Sequence, residues 1–94
     1  MKKKIDHINS LPISLEFYQE MFLLRAQELI AELMEQKGIS RSQLAKRTGL
    51  SNSRITFMLS DERNLTLRTL AKVCYHLGYE VIPSAILLPK ALDK

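Results

Sequence analysis

The sequence predicts an all-α fold: a long first helix, three shorter helices and a short carboxy-terminal β-strand. Three observations carry this. Glycine stands at positions 38, 49 and 78 only, each after a stretch with helical spacing of apolar residues. Ser14, Ser40, Ser51 and Thr66 stand where those stretches begin, and such hydroxyls accept the free amides of a first helical turn. Leu15, Tyr18, Phe22, Ala26, Leu29 and Leu33 recur three or four positions apart, the period of one helical face.

Residues 1–13 read as a loosely attached arm. A helix follows from Pro12 and Ser14 to about Lys37, where Gly38 stops it. At 1.5 Å per residue it spans about 36 Å. Phe17, Met21 and Leu24 add a second apolar stripe on its first half alone. So apolar a segment must fold back on the core or meet another chain.

The next helix opens with Ser40 and Gln43 at capping-box spacing, flanked by Ile39 and Leu44 as a hydrophobic staple. Leu44, Ala45 and Thr48 share an inward face, and Lys46 and Arg47 point outward. Gly49 ends the helix, because the left-handed conformation needed there costs glycine little. Leu50, Ser51 and Ile55 repeat the staple-and-cap pattern. Ile55, Met58 and Leu59 then face inward, leaving Asn52, Ser53, Thr56, Phe57 and Ser60 outward. Small Ala45 lets the two helices approach closely. Asp61 to Leu65 form a polar loop. Thr66 caps a last helix, with Leu65 and Leu70 as a third staple. Its expected inward face is Leu67, Leu70, Ala71, Cys74 and Leu77, and Gly78 terminates it. Tyr79 to Pro83 favour a strand that Ser84 to Leu88 extend. The division is therefore arm 1–13, helical domain 14–78 and carboxy-terminal segment 79–94.

Ninety-four residues allow one small domain with one core. At 46% apolar and 26% charged, the composition is that of a soluble globular protein. No apolar run approaches the ~20 residues of a membrane span. The basic tip lacks an apolar signal core, and one cysteine makes no internal disulfide, so a cytoplasmic location is expected. His7, Cys74 and His76 do not make a zinc set, and no cofactor or metal is expected. Glu16 with Glu20, and Glu28 with Glu32 and Glu35, read as a solvated acidic face. Without a nucleophile–base arrangement or a phosphate loop, no enzyme is expected.

The net charge of +4 hides an asymmetry. Residues 37–72 carry eight basic residues against Asp61 and Glu62, a balance of +6, while residues 1–36 sum to −2. The positive charge thus lies on the two-helix unit and the loop after it, where phosphates of a nucleic acid would sit. Two short helices joined by a glycine-bearing turn form the helix-turn-helix, whose second helix enters the major groove.

Leu44, Ala45, Gly49, Ser51, Ile55, Met58, Asn64, Leu67, Leu70 and the Leu77–Gly78 pair resemble, in register, the lambda-repressor-like helix-turn-helix domains of the Xre or Cro type. The resemblance runs from about Ala26 to Gly78. Two departures stand out: Arg41 where many members carry Gln or a similar amide, and Leu59 and Asp61 where many carry Glu and then Gly. Leu59 followed by Ser60 is similar to the subset that serves as antitoxins or small mobile-element regulators.

The base-reading set expected on the second motif helix is Asn52, Ser53, Thr56 and Phe57. Asn binds adenine in a bidentate fashion, hydroxyls bond several base edges, and Thr and Phe offer apolar surface to a thymine methyl. Phe57 has a rival placement in the core. The phosphate set is Arg41, Ser51, Arg54, Arg63, Asn64 and Arg68; Arg54 could alternatively read guanine, and Ser51 is explained by capping alone. Val81, Ile82, Ile86, Leu87 and Leu88 are apolar residues past the last core helix. They would pair with a second copy as an edge strand or fold back over their own core. The expected function is a homodimeric regulator, by repression, of a palindromic operator in double-stranded DNA. The alternative is a type II antitoxin that binds a toxin protein through the arm and long helix and represses its own operon.

Overall fold

The computed structural model describes residues 13–60 and 65–88. Four helices follow in chain order: α1 Leu15–Lys37, α2 Arg41–Thr48, α3 Asn52–Ser60 and α4 Leu67–Leu77. Helix α1 packs on α3 and α4, and α2 packs on the same two, so the four helices close around one core.

Each helix begins where a hydroxyl was expected to start it. Ser14 Oγ accepts from Phe17 N at 3.1 Å, and Thr66 Oγ1 from Thr69 N at 3.1 Å. The capping box at α2 is complete: Gln43 N donates to Ser40 Oγ at 3.1 Å, and Ser40 N to Gln43 Oε1 at 2.8 Å. Helices α1 and α4 end in Schellman motifs. In α1 the amides of Gly38 and Ile39 donate to Glu35 and Met34 carbonyls; in α4 those of Gly78 and Tyr79 donate to Tyr75 and Cys74.

The core consists of Ile30, Leu33 and Met34 from α1, Leu44 and Ala45 from α2, Ile55 and Met58 from α3, and Val73, Cys74 and Leu77 from α4. Ile39, Leu50, Leu59, Leu65 and Leu70 pack around it, half-buried. Ile30, Leu44, Ile55, Met58 and Val73 expose no surface at all. Burying such a side chain stabilises by about 1.5–3 kcal/mol, and each helix contributes two or three residues to this core.

Three expectations are corrected here. Among the described residues there is no strand, and 79–88 run as irregular chain. Tyr79 is the residue that closes the α4 Schellman motif, and Tyr79 and Val81 pack against the core. The β-formers there thus serve a helix stop, and Pro83 lacks the amide a ladder would need.

The α1 stripe is turned. Leu33 is buried and Ala26 and Leu29 are half-buried, but Leu15, Tyr18 and Phe22 are exposed. The core-facing line is Leu23, Gln27, Ile30 and Met34, and a polar residue at position 27 hides it from a hydropathy reading.

In α4, Val73 is buried where Ala71 and Leu67 were expected. Ala71 is exposed, and Leu67 is 77% exposed on the first turn, past the edge of the core. The amino-terminal arm, apart from Ile13, and Asp61 to Asn64 lie outside the described residues.

Candidate nucleic-acid interface

The candidate interface lies on α3, and α2 holds α3 in place. Thr48, at the end of α2, is buried. Its hydroxyl donates to Leu44 O at 2.8 Å and accepts from Leu50 N at 3.2 Å. One side chain thereby satisfies a helix-end carbonyl and the amide of the turn residue that follows. Gly49 makes that turn at φ 81° and donates its amide to Ala45 O at 2.8 Å. Ser51 then caps α3, its Oγ accepting from Arg54 N at 3.0 Å. The two helices are thus joined through a turn with little slack, which fixes the angle at which α3 is presented.

Helix α3 buries Ile55 and Met58 and half-buries Leu59. Asn52, Ser53, Thr56 and Phe57 are exposed together with Ser60. At about 100° per residue those five span an arc of about 140°, the width a groove-reading helix can present. Phe57 is 58% exposed, which rules out the rival placement in the core. Ser60 Oγ donates to Thr56 O at 2.8 Å, so its proton is committed to the helix. Asn52, Ser53, Thr56 and Phe57 therefore stand together on one open face, as the base-reading set requires.

The charged surroundings are more structured than the sequence suggested. Arg41 is exposed at the first turn of α2, and its Nη1 donates to Thr56 Oγ1 at 3.4 Å. One expected phosphate residue is thus tied to one expected base-reading residue on the next helix. Thr56 Oγ1, having accepted from Arg41, retains its own O–H as a donor. Arg54 is half-buried, its stem leaving the reading face. Arg68 is exposed on the first turn of α4. Arg63 and Asn64 lie outside the described residues.

The sequence reading missed the contacts that tie α2 and α1 to the end of α4. Arg47 Nη1 donates to the His76 carbonyl of α4 at 3.3 Å, near the negative end of that helix dipole. Tyr79 Oη donates to Gln36 Oε1 at 3.0 Å, and the Lys37 ammonium sits 5.1 Å from the centre of the Tyr79 ring. These pairs are 29 to 43 residues apart or join helix ends, so no local spacing signals them.

Among the described residues no group of three metal-ligating side chains occurs. No helix there is long and apolar enough to cross a membrane. Cys74 is buried in the core, and that burial pushes its thiol above the ordinary range.

Four helices with a capped, glycine-turned pair, the second helix presenting a polar face among arginines, define a helix-turn-helix DNA-binding domain. Residues 30–81, more than half of the chain, match the family model of the Cro/C1-type HTH DNA-binding domain. The chain belongs to that family. Comparisons with curated proteins and with solved structures give no match.

Proposed function

We propose that this protein is a homodimeric transcriptional repressor that binds a palindromic operator in double-stranded DNA. One observation carries the reading: Asn52, Ser53, Thr56 and Phe57 share the exposed face of α3, with Arg41 and Arg68 exposed on neighbouring helix starts. Phosphate contacts from the arginines, with Arg63, Asn64, Ser51 and Arg54 as further candidates, would set the register. The α3 face would then read base edges in the major groove. Occupying a promoter suffices to block transcription, so repression needs no further part. Two copies set α3 and its mate about 34–36 Å apart, one DNA turn.

Selection of bound sites from random duplex DNA tests this. A two-fold symmetric site with half-sites about one turn apart is the expected result. Recovery of no sequence preference would overturn it. The rival reading, an antitoxin, would use the amino-terminal arm and the apolar first half of α1 as the toxin-binding surface instead of as a second dimer contact. A small toxin reading frame beside the gene would favour it.

A further inference from the structure

The family match stops at Ile30 on one side and Val81 on the other. Among the described residues, nine of the twelve large exposed apolar side chains lie beyond those limits. In the first half of α1, Leu15, Phe17, Tyr18, Phe22 and Leu24 are exposed. After α4, so are Ile82, Ile86 and Leu87, the last two over 90%.

The α1 pattern shows that this surface is not a core face that happens to overhang. The line that meets the core is Leu23, Gln27, Ile30 and Met34. Continued upstream with helical spacing, that same line becomes Glu20 and Glu16. The apolar residues run on its two flanks, Leu15, Tyr18 and Phe22 on one and Phe17, Met21 and Leu24 on the other. A helix apolar on several sides is a buried helix, yet Glu16, Glu20 and all of the flanking apolar residues except half-buried Met21 are exposed here.

The apolar segment after α4 leaves the domain at the opposite end of α1. Tyr79 is fastened there to Gln36 at 3.0 Å and beneath Lys37. From Gln36, Phe22 lies about 21 Å and Leu15 about 32 Å back along the helix. Within one chain the segment does not lie along that half of α1: Ile82, Ile86 and Leu87 are exposed, and so are Tyr18 and Phe22. In a two-fold pair of antiparallel α1 helices the carboxy end of one lies beside the amino half of the other.

We propose that residues 82–88 of one copy dock along the exposed apolar flank of α1, around Tyr18 and Phe22, in a second copy, and reciprocally. This deepens the dimer reading above and rests on it, naming the contact surface and replacing strand pairing with helix–segment exchange. The exposed apolar residues of the two segments offer on the order of 1000 Å² per chain, against about 800 Å² per partner in a standard interface.

The test is sedimentation equilibrium of the full chain beside two variants, Phe22→Glu and the double change Ile86→Glu with Leu87→Glu. All three positions are exposed in the single chain, so each variant should keep its helical circular dichroism and, at dilutions where the wild type is also monomeric, its melting temperature. The wild type is expected to dimerise, and each variant to dissociate at least tenfold more readily. An equimolar mixture of the two variants, one fluorescently labelled, is expected to recover a heterodimer, because one of its two docking contacts is intact.

A wild type that stays monomeric overturns the proposal and leaves the face to another partner. Full dimerisation of either variant alone overturns the reciprocal arrangement, as does a mixture without recovery. Binding of random duplex DNA by the same samples keeps the two readings apart. The Phe22→Glu monomer retains every arginine and should still bind it, whereas a dimeric wild type that binds no DNA would sink the operator reading and leave the docking intact.

Discussion

Phe57→Ala separates a groove contact from a core contact on one side chain. Phe57 is 58% exposed on the outer face of α3, while Ile55 and Met58 of the same helix are sealed from solvent. Truncation should therefore leave the fold nearly unchanged, within about 0.5 kcal/mol, since alanine is also the better helix former. A core Phe would instead cost about 3–5 kcal/mol. The effect on DNA is bounded by the surface available. Taking roughly 200 Å² for a Phe, the exposed part is about 120 Å², worth at most ~3 kcal/mol if a thymine methyl and the sugar edges cover all of it. Partial cover places the expected loss at about 1–2 kcal/mol on a selected operator, or roughly 5- to 30-fold in Kd. Thermal unfolding followed by circular dichroism measures the first quantity, and fluorescence anisotropy titration of labelled duplex measures the second. A large loss of stability would return Phe57 to the core. Unchanged stability with unchanged operator affinity would remove it from the interface, and α3 would then not enter the groove with this face.

Asn52→Ala and Thr56→Ala should each weaken a selected operator by ~1–3 kcal/mol and leave random duplex binding nearly unchanged; equal losses on both DNAs would take the residue off the base-reading face. Arg68→Ala should weaken both DNAs alike and make the slope of log K against log salt shallower by about 0.9 if it holds one phosphate; Arg41→Ala is the less clean probe, because its guanidinium also touches Thr56. Gly49→Ala should lower the melting temperature by about 4–16 °C: φ is 81°, a Cβ there meets nothing within 4 Å, and the cost is thus the left-handed backbone alone, about 1–2 kcal/mol. An unshifted melting curve would contradict the turn geometry. Burial raises the Cys74 thiol above its ordinary range, so the protonated thiol contributes stability that is complete below the unfolded thiol's value of about 8.5 and is lost as pH rises through the higher folded value. Unfolding free energy should fall with pH above about 8.5 in the wild type but lack that component in Cys74→Ala, and thiol reagents should label Cys74 only as fast as the chain opens; rapid labelling of folded protein would refute its burial.

What the sequence determined by itself is the set of features closed within one helical turn. Ser40 with Gln43, Thr66 with Thr69, and the glycines at 38, 49 and 78 are partners in hydrogen bonds that span three or four residues. Their geometry follows from local backbone chemistry, so helix starts and stops were legible without knowing what lay across the domain. The inward line of α3 was legible for a related reason: Ile55, Met58 and Leu59 cluster on one side, and only Phe57 offered an apolar rival on the other.

Tertiary structure decided what depends on where other elements lie. On α1 three apolar lines competed, and the one chosen by α3 and α4 includes Gln27 rather than Phe22, because packing selects shape and position as well as hydropathy. On α4 the choice of Val73 over Leu67 reflects where the core ends, which no period contains. Tyr79 looked like the start of a strand because its side chain is a β-former, yet its amide was claimed by Cys74 O of the preceding helix. The link from Arg41 to Thr56 bridges 15 positions. It exists only because the turn at Gly49 brings two helix faces together, and contacts made across such a distance are written in the fold rather than in any local run of residues.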